Sequence, residues 1–424
     1  TPLHYAIIKK KMWAIEALIK AGCDVTKRTI CEGDTVLHLA AFSGYYNAFK
    51  KFIAMKEIFD VNITNYKNQT ILHYATIYGA TKIVDELFSI PGIDVNARDI
   101  DGNTSLHHAI QNSKLHIFES LLSNHSIDVN AMNNDSETPL IFAFKFHNIE
   151  AIKKLLSLNG TINPNCFESG TLNTPLHLAV LLKDQYIIKL LFKLHNRVCL
   201  NRLNEEKELE DVNFYKNSFQ YEFEGETDVN CQNIEGSTAL HLAVKLKDDM
   251  IVRTLLNSPK IKLDIVDNTL RRCPLHYAAL GNIESPFVMK FLNPYMYNTT
   301  RFSNTIFMQL ISRDPLTGNI QDANGDTAFH IALNETGFEG IILKNTAIQL
   351  NKKSSSFKTN NDNVIVIEDD DDDDVLKLNL KNNKGETYLH LAAASGNRIV
   401  LEFMLKTHPE LINEKTVDVL FLFF

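Results

Sequence analysis

Histidines are the residues of this sequence whose type and spacing first suggest chemistry. Nine of the 15 histidines occupy one position of a recurring tetrapeptide, typically Thr-x-Leu-His. A set of imidazoles is what a metal site or an acid–base relay requires. Whether they act together depends on how far apart the chain holds them. The nine are His4, His38, His73, His107, His177, His241, His276, His330 and His390.

The six cysteines are scattered, with no Cys-x-x-Cys pair among them. This spacing predicts reduced thiols and a cytoplasmic or nuclear protein. His195 and Cys199 lie four residues apart and would share a helix face, but two ligands do not complete a zinc site. The sequence therefore predicts no metal site and no cofactor. The six are Cys23, Cys31, Cys166, Cys199, Cys231 and Cys273.

Sequence signatures of common enzymes are missing from the 424 residues: there is no P-loop, HExxH, GxSxG or kinase motif set. The formal net charge of -8 disfavours binding to nucleic acid or to an anionic membrane surface. No run approaches the roughly 20 apolar residues of a membrane helix. We predict a non-enzyme with no catalytic residue, no small-molecule substrate, no nucleic-acid partner and no membrane segment within this chain.

The histidine tetrapeptide belongs to a repeat that occurs ten times, first at steps of 34 to 36 residues and later also at 64, 54 and 60. Two residues beyond the histidine position every copy has alanine, which predicts close packing of helices there. A second stretch with helical apolar spacing follows, such as residues 83–88, so each repeat is predicted to be a helix pair. The alanines are Ala6, Ala40, Ala75, Ala109, Ala143, Ala179, Ala243, Ala278, Ala332 and Ala392.

Polar turns connect the repeats. Asp-Val-Asn at 60–62, 94–96, 128–130 and 228–230 precedes segments such as Asp99-Ile100-Asp101-Gly102. Glycine, asparagine and aspartate supply the positive-φ backbone of a tight hairpin. The threonine that follows is placed to cap the first helix, and a proline after it fits the first helical position.

The pattern D-x-x-G-x-T-P-L-H-x-A…LL…DVN resembles the ankyrin repeat and covers about three quarters of the chain. The resemblance implies an all-α solenoid of stacked helix pairs with β-hairpin fingers, interrupted here by long loop insertions. Successive histidines of such a stack are about 10 Å apart, too far to share a metal. The resemblance gives them a structural role, holding the turn by hydrogen bonds.

Two repeats depart from this pattern. Repeat five has Ile141 at the histidine position. Repeat eight has Cys273 at the threonine position and Arg271-Arg272 where a glycine turn is expected. We expect the fingers there to be less regular.

The period divides the chain into repeats and insertions. We assign residues 1–200 to repeats one to six, 201–227 to an acidic and aromatic insertion, 228–292 to repeats seven and eight, 293–318 to a second insertion, 319–345 to repeat nine, 346–380 to a disordered acidic insertion, 381–416 to repeat ten and 417–424 to an apolar tail. The chain starts at Thr1 inside a repeat, so we expect it to be a fragment of a longer protein.

The third insertion contains an aliphatic run followed by an acidic block. It resembles a SUMO-interacting motif, in which a short strand adds to the edge of the modifier's sheet and acidic residues pair with its basic surface. The alternative is a solvated linker. The candidate residues are Val364, Ile365, Val366, Ile367, Glu368, Asp369 and Asp370.

The predicted function is a scaffold or adaptor that binds partner proteins, since the resemblance implies exposed finger and first-helix positions. Asn96 and Asn130 also resemble substrates of the asparaginyl hydroxylase that modifies ankyrin repeats; the alternative is an ordinary hairpin residue. A second interpretation makes the chain the repeat portion of a larger enzyme or channel. The candidate binding residues are Tyr66, Lys67, Gln69, Ile77, Tyr78, Ile100, Asp101, Asn103, Gln111, Asn112, Asn134, Asp135, Lys145, Phe146, Ile234 and Glu235.

Overall fold

The computed structural model describes residues 1–55, 59–158, 161–194, 227–281, 306–336 and 376–416. Its recurring element is a pair of short helices. The first helices are Pro2–Ile8, Val36–Ser43, Ile71–Tyr78, Ser105–Gln111, Pro139–Lys145, Pro175–Leu181, Ala239–Lys245, Pro274–Gly281, Ala328–Thr336 and Tyr388–Ala394. The second helices are Met12–Lys20, Tyr46–Ile53, Thr81–Phe88, Leu115–Leu122, Ile149–Ser157, Asp249–Leu256, Ile306–Arg313 and Arg398–Thr407, and residues 185–194 are also helical.

The chain forms two compact bodies. Body one contains residues 1–178 and 189–227, and body two contains residues 179–188 and 228–424. Within each body, the first helices of consecutive repeats contact one another, and so do second helices. Two short 3-10 helices, Pro315–Asn319 and Pro409–Asn413, complete the helical elements described. None of the described helices is long and apolar enough to cross a bilayer.

The repeated leucine and alanine form the core. All ten alanines are buried, with Ala40, Ala75 and Ala179 fully so. The leucine position is buried in every repeat as well, at 0% exposure in Leu106. Because the alanine has no side chain beyond its methyl group, neighbouring helices approach closely at that point. The packing predicted from the repeat is confirmed.

Each first helix begins directly after the threonine position of the tetrapeptide, which is Cys273 in repeat eight. The Thr70 hydroxyl accepts a hydrogen bond from the backbone N–H of His73, and the His73 ring accepts one from the Thr70 backbone N–H. The same reciprocal capping box occurs at Thr1, Thr35 and Thr238. Histidine thus takes the place that glutamate or glutamine usually has in this motif.

The fingers are turns joined to one another by backbone hydrogen bonds. In body one the backbone N–H of Tyr66 donates to Glu32 at 2.9 Å, and that of Ile100 donates to Lys67 at 2.8 Å. Asn134 continues the series to Asp101 at 2.9 Å. Among the described residues, β-structure is limited to one isolated antiparallel bridge between residues 64 and 70. The fingers are therefore short hairpin turns within an all-α fold.

Some described residues of two predicted insertions pack against the repeats. Residues 306–313 lie within the segment assigned to the second insertion, yet they form a helix that contacts both helices before it, 249–256 and 274–281. This helix therefore packs in the position of a second helix beside repeat eight. Leu376 and Leu378, assigned to the disordered acidic insertion, are buried at 6% and 4% exposure.

Residues 376–380 follow the finger pattern directly after the acidic block. Leu378-Asn379 occupies the Val-Asn position of the Asp-Val-Asn motif, eight residues before the threonine of repeat ten. The backbone N–H of Lys377 donates to the Asn319 side chain at 2.7 Å, the bond that a regular finger makes. Residues 376–380 therefore belong to the array.

Candidate protein-binding surface

The recurring histidines are built into the repeat backbone. The Nδ1 atom of His73 accepts a hydrogen bond from the Thr70 N–H at 3.1 Å, and Nε2 lies 3.1 Å from the carbonyl oxygen of Asn103 in the next finger. Since a carbonyl only accepts, Nε2 carries the proton and the ring is neutral. Equivalent bonds join His107 to Glu137 and His330 to Glu386. Each imidazole fixes the finger of the following repeat.

Burial disfavours a charge on these rings. Desolvation lowers the pKa of His73 to about 4, helped by the neighbouring His108. Burial likewise lowers the pKa of His107 and His330 to about 4. These histidines therefore remain uncharged near neutral pH and act as hydrogen-bonding groups of the fold.

No group of three or more metal-ligating side chains occurs among the residues that the structure describes. His195 and Cys199 lie outside those residues. Cys166 and Cys273 are buried, and desolvation raises their pKa to about 12 and about 11. Both are therefore protonated thiols, which are poor nucleophiles.

In the two repeats that depart from the pattern, other contacts replace the usual bond between threonine and histidine. In repeat five Ile141 has no ring nitrogen, and the Thr138 hydroxyl donates instead to Cys166 Sγ at 3.2 Å. In repeat eight, Cys273 Sγ lies 3.0 Å from Nδ1 of His276 in place of a threonine hydroxyl. Arg271 adopts a φ of 54°, the left-handed conformation expected of the missing glycine. The closing bond of the eighth finger spans residues 267 to 272, as many residues as those of the second and sixth fingers, and the fifth finger closes over the usual five residues, 133 to 137. The closing bonds therefore do not set these two fingers apart from the others.

A second polar link ties fingers to first helices. His108 Nε2 lies 2.8 Å from Asp99 Oδ2, and both side chains are buried. Asp99 also accepts hydrogen bonds from the backbone N–H groups of Asp101 and Asn103. In repeat three the corresponding link is a hydrogen bond that the Asn65 amide donates to the Tyr74 hydroxyl at 3.2 Å. The finger tips of body one are consequently held on a fixed backbone.

The finger tips expose large apolar side chains. Tyr66 is 61% exposed and Ile100 is 56% exposed, although their backbones are hydrogen-bonded in the ladder. The Tyr66 ring lies against Gly33 of the preceding finger, where a Cβ atom would come within 2.5 Å of it. In body two, Ile234 and Glu235 are exposed at the equivalent tip. Rigidly held apolar groups of this kind are suited to anchoring a partner.

The C-terminal ends of the first helices form a second exposed set. Tyr78 and Phe146 are exposed, and Ile77 is half-buried beside Tyr78. Lys145 pairs with the buried carboxylate of Glu137 at 2.7 Å. Gln111 and Asn112 are exposed between these aromatic residues.

Some predicted binding residues have bonds within the fold. The Asn134 amide donates to the Ile100 carbonyl at 2.9 Å, and the Asn103 side chain accepts from Asn133 at 3.1 Å. Gln69 and Asn103 are half-buried, whereas Lys67 is exposed and pairs with Glu32 at 2.8 Å. Asp101 and Asp135 are exposed at their tips. Exposure is consistent with a binding role for most of the set, which stays a prediction.

Sequence reasoning missed two exposed residues of the same surface. Phe42 packs edge-on against Tyr78 with ring centroids 4.6 Å apart, and it is 42% exposed. Ile30, at the first finger tip, is 95% exposed. The position within the repeat could have identified both residues. Phe42 occupies the place of Ile77 in its repeat, and Ile30 precedes Gly33 in a turn.

Asn96 and Asn130 form part of an asparagine ladder. The Asn96 amide donates to the Ser126 carbonyl at 2.7 Å and its oxygen accepts from the Asp128 N–H at 2.8 Å. Asn130 repeats this pattern with Thr161 and Asn163. Both asparagines therefore join successive fingers, and their hydroxylation stays a prediction. The candidate SUMO-interacting residues 364–370 lie outside the described residues.

Stacked helix pairs with hydrogen-bonded fingers and an exposed apolar surface define a repeat protein of the interaction type. The chain belongs to the ankyrin-repeat family. The family model described as Ankyrin repeats (3 copies) matches residues 3–99, 37–133, 89–168, 106–202 and 212–300, together more than half of the chain.

Similarity to individual proteins is confined to a smaller region. NF-kappa-B inhibitor alpha of Mus musculus is 38% identical over 94 residues, which is 21% of this chain and 30% of that protein. The Rattus norvegicus protein matches equally, and that of Sus scrofa is 37% identical over 94 residues. The chain thus spans about 30% of the length of these relatives.

Proposed function

We propose that the chain binds a partner protein through the finger tips and first-helix ends of body one. The observation that carries this proposal is the exposure of Tyr66 and Ile100 on fingers whose backbones are joined by hydrogen bonds. Apolar groups already fixed in position lose little conformational entropy on binding. Membership of a family of interaction repeats supports the same function.

The test is capture of partners by the full chain and by a Tyr66→Ala, Ile100→Ala double variant, followed by mass spectrometry. We expect specific proteins to be enriched by the unaltered chain and lost with the variant. Trp13→Ala is the matched control, because Trp13 is 74% exposed on a second helix outside the surface. Equal enrichment by all three proteins would contradict the proposed surface.

A more specific partner follows from the similarity to NF-kappa-B inhibitor alpha. We propose that the chain binds and inhibits an NF-kappa-B-type protein. Titration calorimetry with a purified NF-kappa-B protein tests this, and we expect a dissociation constant tighter than about 1 μM. No heat at concentrations of about 100 μM would contradict this partner and leave the general binding function open to the capture experiment.

We also propose that residues 364–370 bind SUMO by strand addition, on the basis of the Val-Ile-Val-Ile run and its acidic flank. Titrating SUMO with a peptide of residues 360–376 tests the proposal by NMR. We expect chemical-shift changes along one sheet edge. A peptide with residues 364–367 replaced by serine is the control, and unchanged spectra with the native peptide would remove this site.

A further inference from the structure

The connections after the first five first helices share an unusual composition. Residues 7–11, 41–45, 76–80, 110–114 and 144–148, here called the connection row, contain five lysines and no aspartate or glutamate. This bias is local, because the whole chain has a net charge of -8. The corresponding connections of repeats six and seven carry Lys183, Lys245 and Lys247 but add Asp184 and Asp248. A basic edge that contains no carboxylate is thus a property of repeats one to five.

The connection row is continuous in space over repeats two to five. The Phe42 ring lies 4.6 Å from that of Tyr78. The Lys114 ammonium lies 3.5 Å from the position a Cβ atom would take at Gly79. The Asn148 amide donates to the Ile110 carbonyl at 3.0 Å. Repeat one joins through the contact between its first helix and that of repeat two.

Most lysines of the row have their charges available. Lys145 is paired with Glu137. Within the described part of body one, Lys9, Lys10, Lys11 and Lys114 have no carboxylate within the 4.0 Å of an ion pair. The three N-terminal lysines are exposed, and Lys114 is half-buried with its stem against Gly79. These ammonium groups are free to meet carboxylates of another molecule.

Exposed apolar groups lie beside the lysines and between those at the two ends of the row. Ile8 is 39% exposed at one end of the row, Phe42 and Tyr78 form an exposed aromatic pair in the middle, and Phe146 lies at the other end. Phe146 packs on Phe142 with centroids 4.7 Å apart, which fixes its position. Fixed aromatic side chains flanked by cations favour a ligand that brings both apolar groups and carboxylates.

We infer that the connection row of body one binds an extended acidic protein segment carrying apolar anchors. This inference rests on the proposed protein-binding function and names the partner's chemistry. Repeats are about 10 Å apart and an extended chain advances about 3.3 Å per residue, so every third residue of the segment meets the next repeat. The segment therefore presents an apolar side chain at every third position and carboxylates between.

Two other occupants fit the row less well. A second copy of the chain would bring its own lysines against these, and like charges repel across an interface. A nucleic acid would be repelled by the net charge of -8, and its phosphates would find no lysine of the row in repeats two and three. A protein segment with carboxylates matched to the spacing meets neither difficulty.

The test is fluorescence anisotropy of the full chain with a labelled peptide made of five Asp-Glu-Leu triplets. We expect binding about tenfold tighter than to peptides with Lys-Lys-Leu or Asp-Glu-Ser triplets, and weakening as salt is raised. Lys114→Glu and Tyr78→Ala are each expected to weaken binding about tenfold. Lys82→Glu and Trp13→Ala are the matched controls on exposed second-helix positions, and they leave binding unchanged.

Thermal melts establish that every variant is folded before titration. Equal affinity for the Asp-Glu-Leu and Asp-Glu-Ser peptides, or equal loss with Lys82→Glu, would overturn the inference. Tighter binding of a 15-nucleotide thymidine oligonucleotide would replace the protein segment with nucleic acid. If partner capture succeeds while the peptide fails to bind, only the acidic segment is rejected and the proposed function stands.

Discussion

At the scale of single residues, each repeated side chain meets a requirement of its neighbours. The histidine caps its own helix through Nδ1 and fixes the next finger through Nε2. The asparagine of Asp-Val-Asn joins two fingers with both atoms of its amide. Because each group satisfies a backbone donor or acceptor, its loss leaves that backbone group without a protein partner.

Removing one asparagine of the ladder is expected to destabilise body one. Asn96→Ala loses hydrogen bonds to Ser126 and Asp128, and we expect the free energy of unfolding to fall by about 1 to 3 kcal/mol. Urea unfolding followed by circular dichroism measures it. Gln111→Ala is the control, because Gln111 is exposed at a helix end. A loss no greater than that of the control would show that these bonds contribute nothing net.

The leucine of the tetrapeptide gives a second prediction at this scale. Leu106 is fully buried, so Leu106→Ala is expected to cost about 2 to 5 kcal/mol of unfolding free energy. Leu115→Ala removes a leucine that is 42% exposed on the following helix, and it should cost about 1 kcal/mol or less. Equal melting temperatures for the two variants would contradict the packing of the repeat.

At the scale of elements, the sequence predicted the first helices and their packing wherever the repeat was regular. Threonine and proline marked the helix starts, and alanine marked the close approach of helices. The packing of Ile306–Arg313 was not predicted, because the apolar run at 287–292 already stood at the usual distance from Pro274 and residues 293–318 were assigned to an insertion. The candidate surface was outlined from the sequence, but Phe42 was left out although it occupies the position of Ile77 in its repeat, and the structure shows it packed against Tyr78.

Gly44 and Gly102 allow the cost of backbone strain alone to be compared with the cost of strain plus steric crowding. Gly44 ends a first helix at a φ of 61° with open space where a Cβ atom would lie, so Gly44→Ala is expected to cost about 1 kcal/mol. Gly102 has a φ of 76°, and its Cβ atom would come within 2.6 Å of the Asn134 backbone nitrogen. Gly102→Ala is expected to cost about 2 to 4 kcal/mol, since it adds crowding of two fingers to the strain.

Chemical denaturation of the two glycine variants under identical conditions provides the comparison. Gly44→Ala acts as the control for backbone strain alone. If Gly102→Ala is no more destabilising than Gly44→Ala, the close approach of the two fingers is not rigid.

At the scale of the whole molecule, buried neutral histidines in both bodies predict sensitivity to acid. The pKa of His73, His107 and His330 is about 4 in the folded chain, whereas an unfolded histidine titrates near 6.5. Between these pH values the unfolded chain binds more protons than the folded one. Folding stability is therefore fully present above pH 6.5 and is lost as the pH falls toward 4.

The size of this effect follows from the same values. At pH 5 each of the three histidines is expected to have lost about 2 kcal/mol of its contribution. Most surface carboxylates titrate below this pH. A change in stability between pH 7 and pH 5 therefore reports mainly on the histidines. Urea midpoints measured across that interval should decline steadily in each body. His73→Gln removes one titrating group, so its lower stability should fall less steeply with pH. A midpoint independent of pH between 7 and 5 would mean that the imidazoles are hydrated in the folded chain, and it would contradict their role as buried links between repeats.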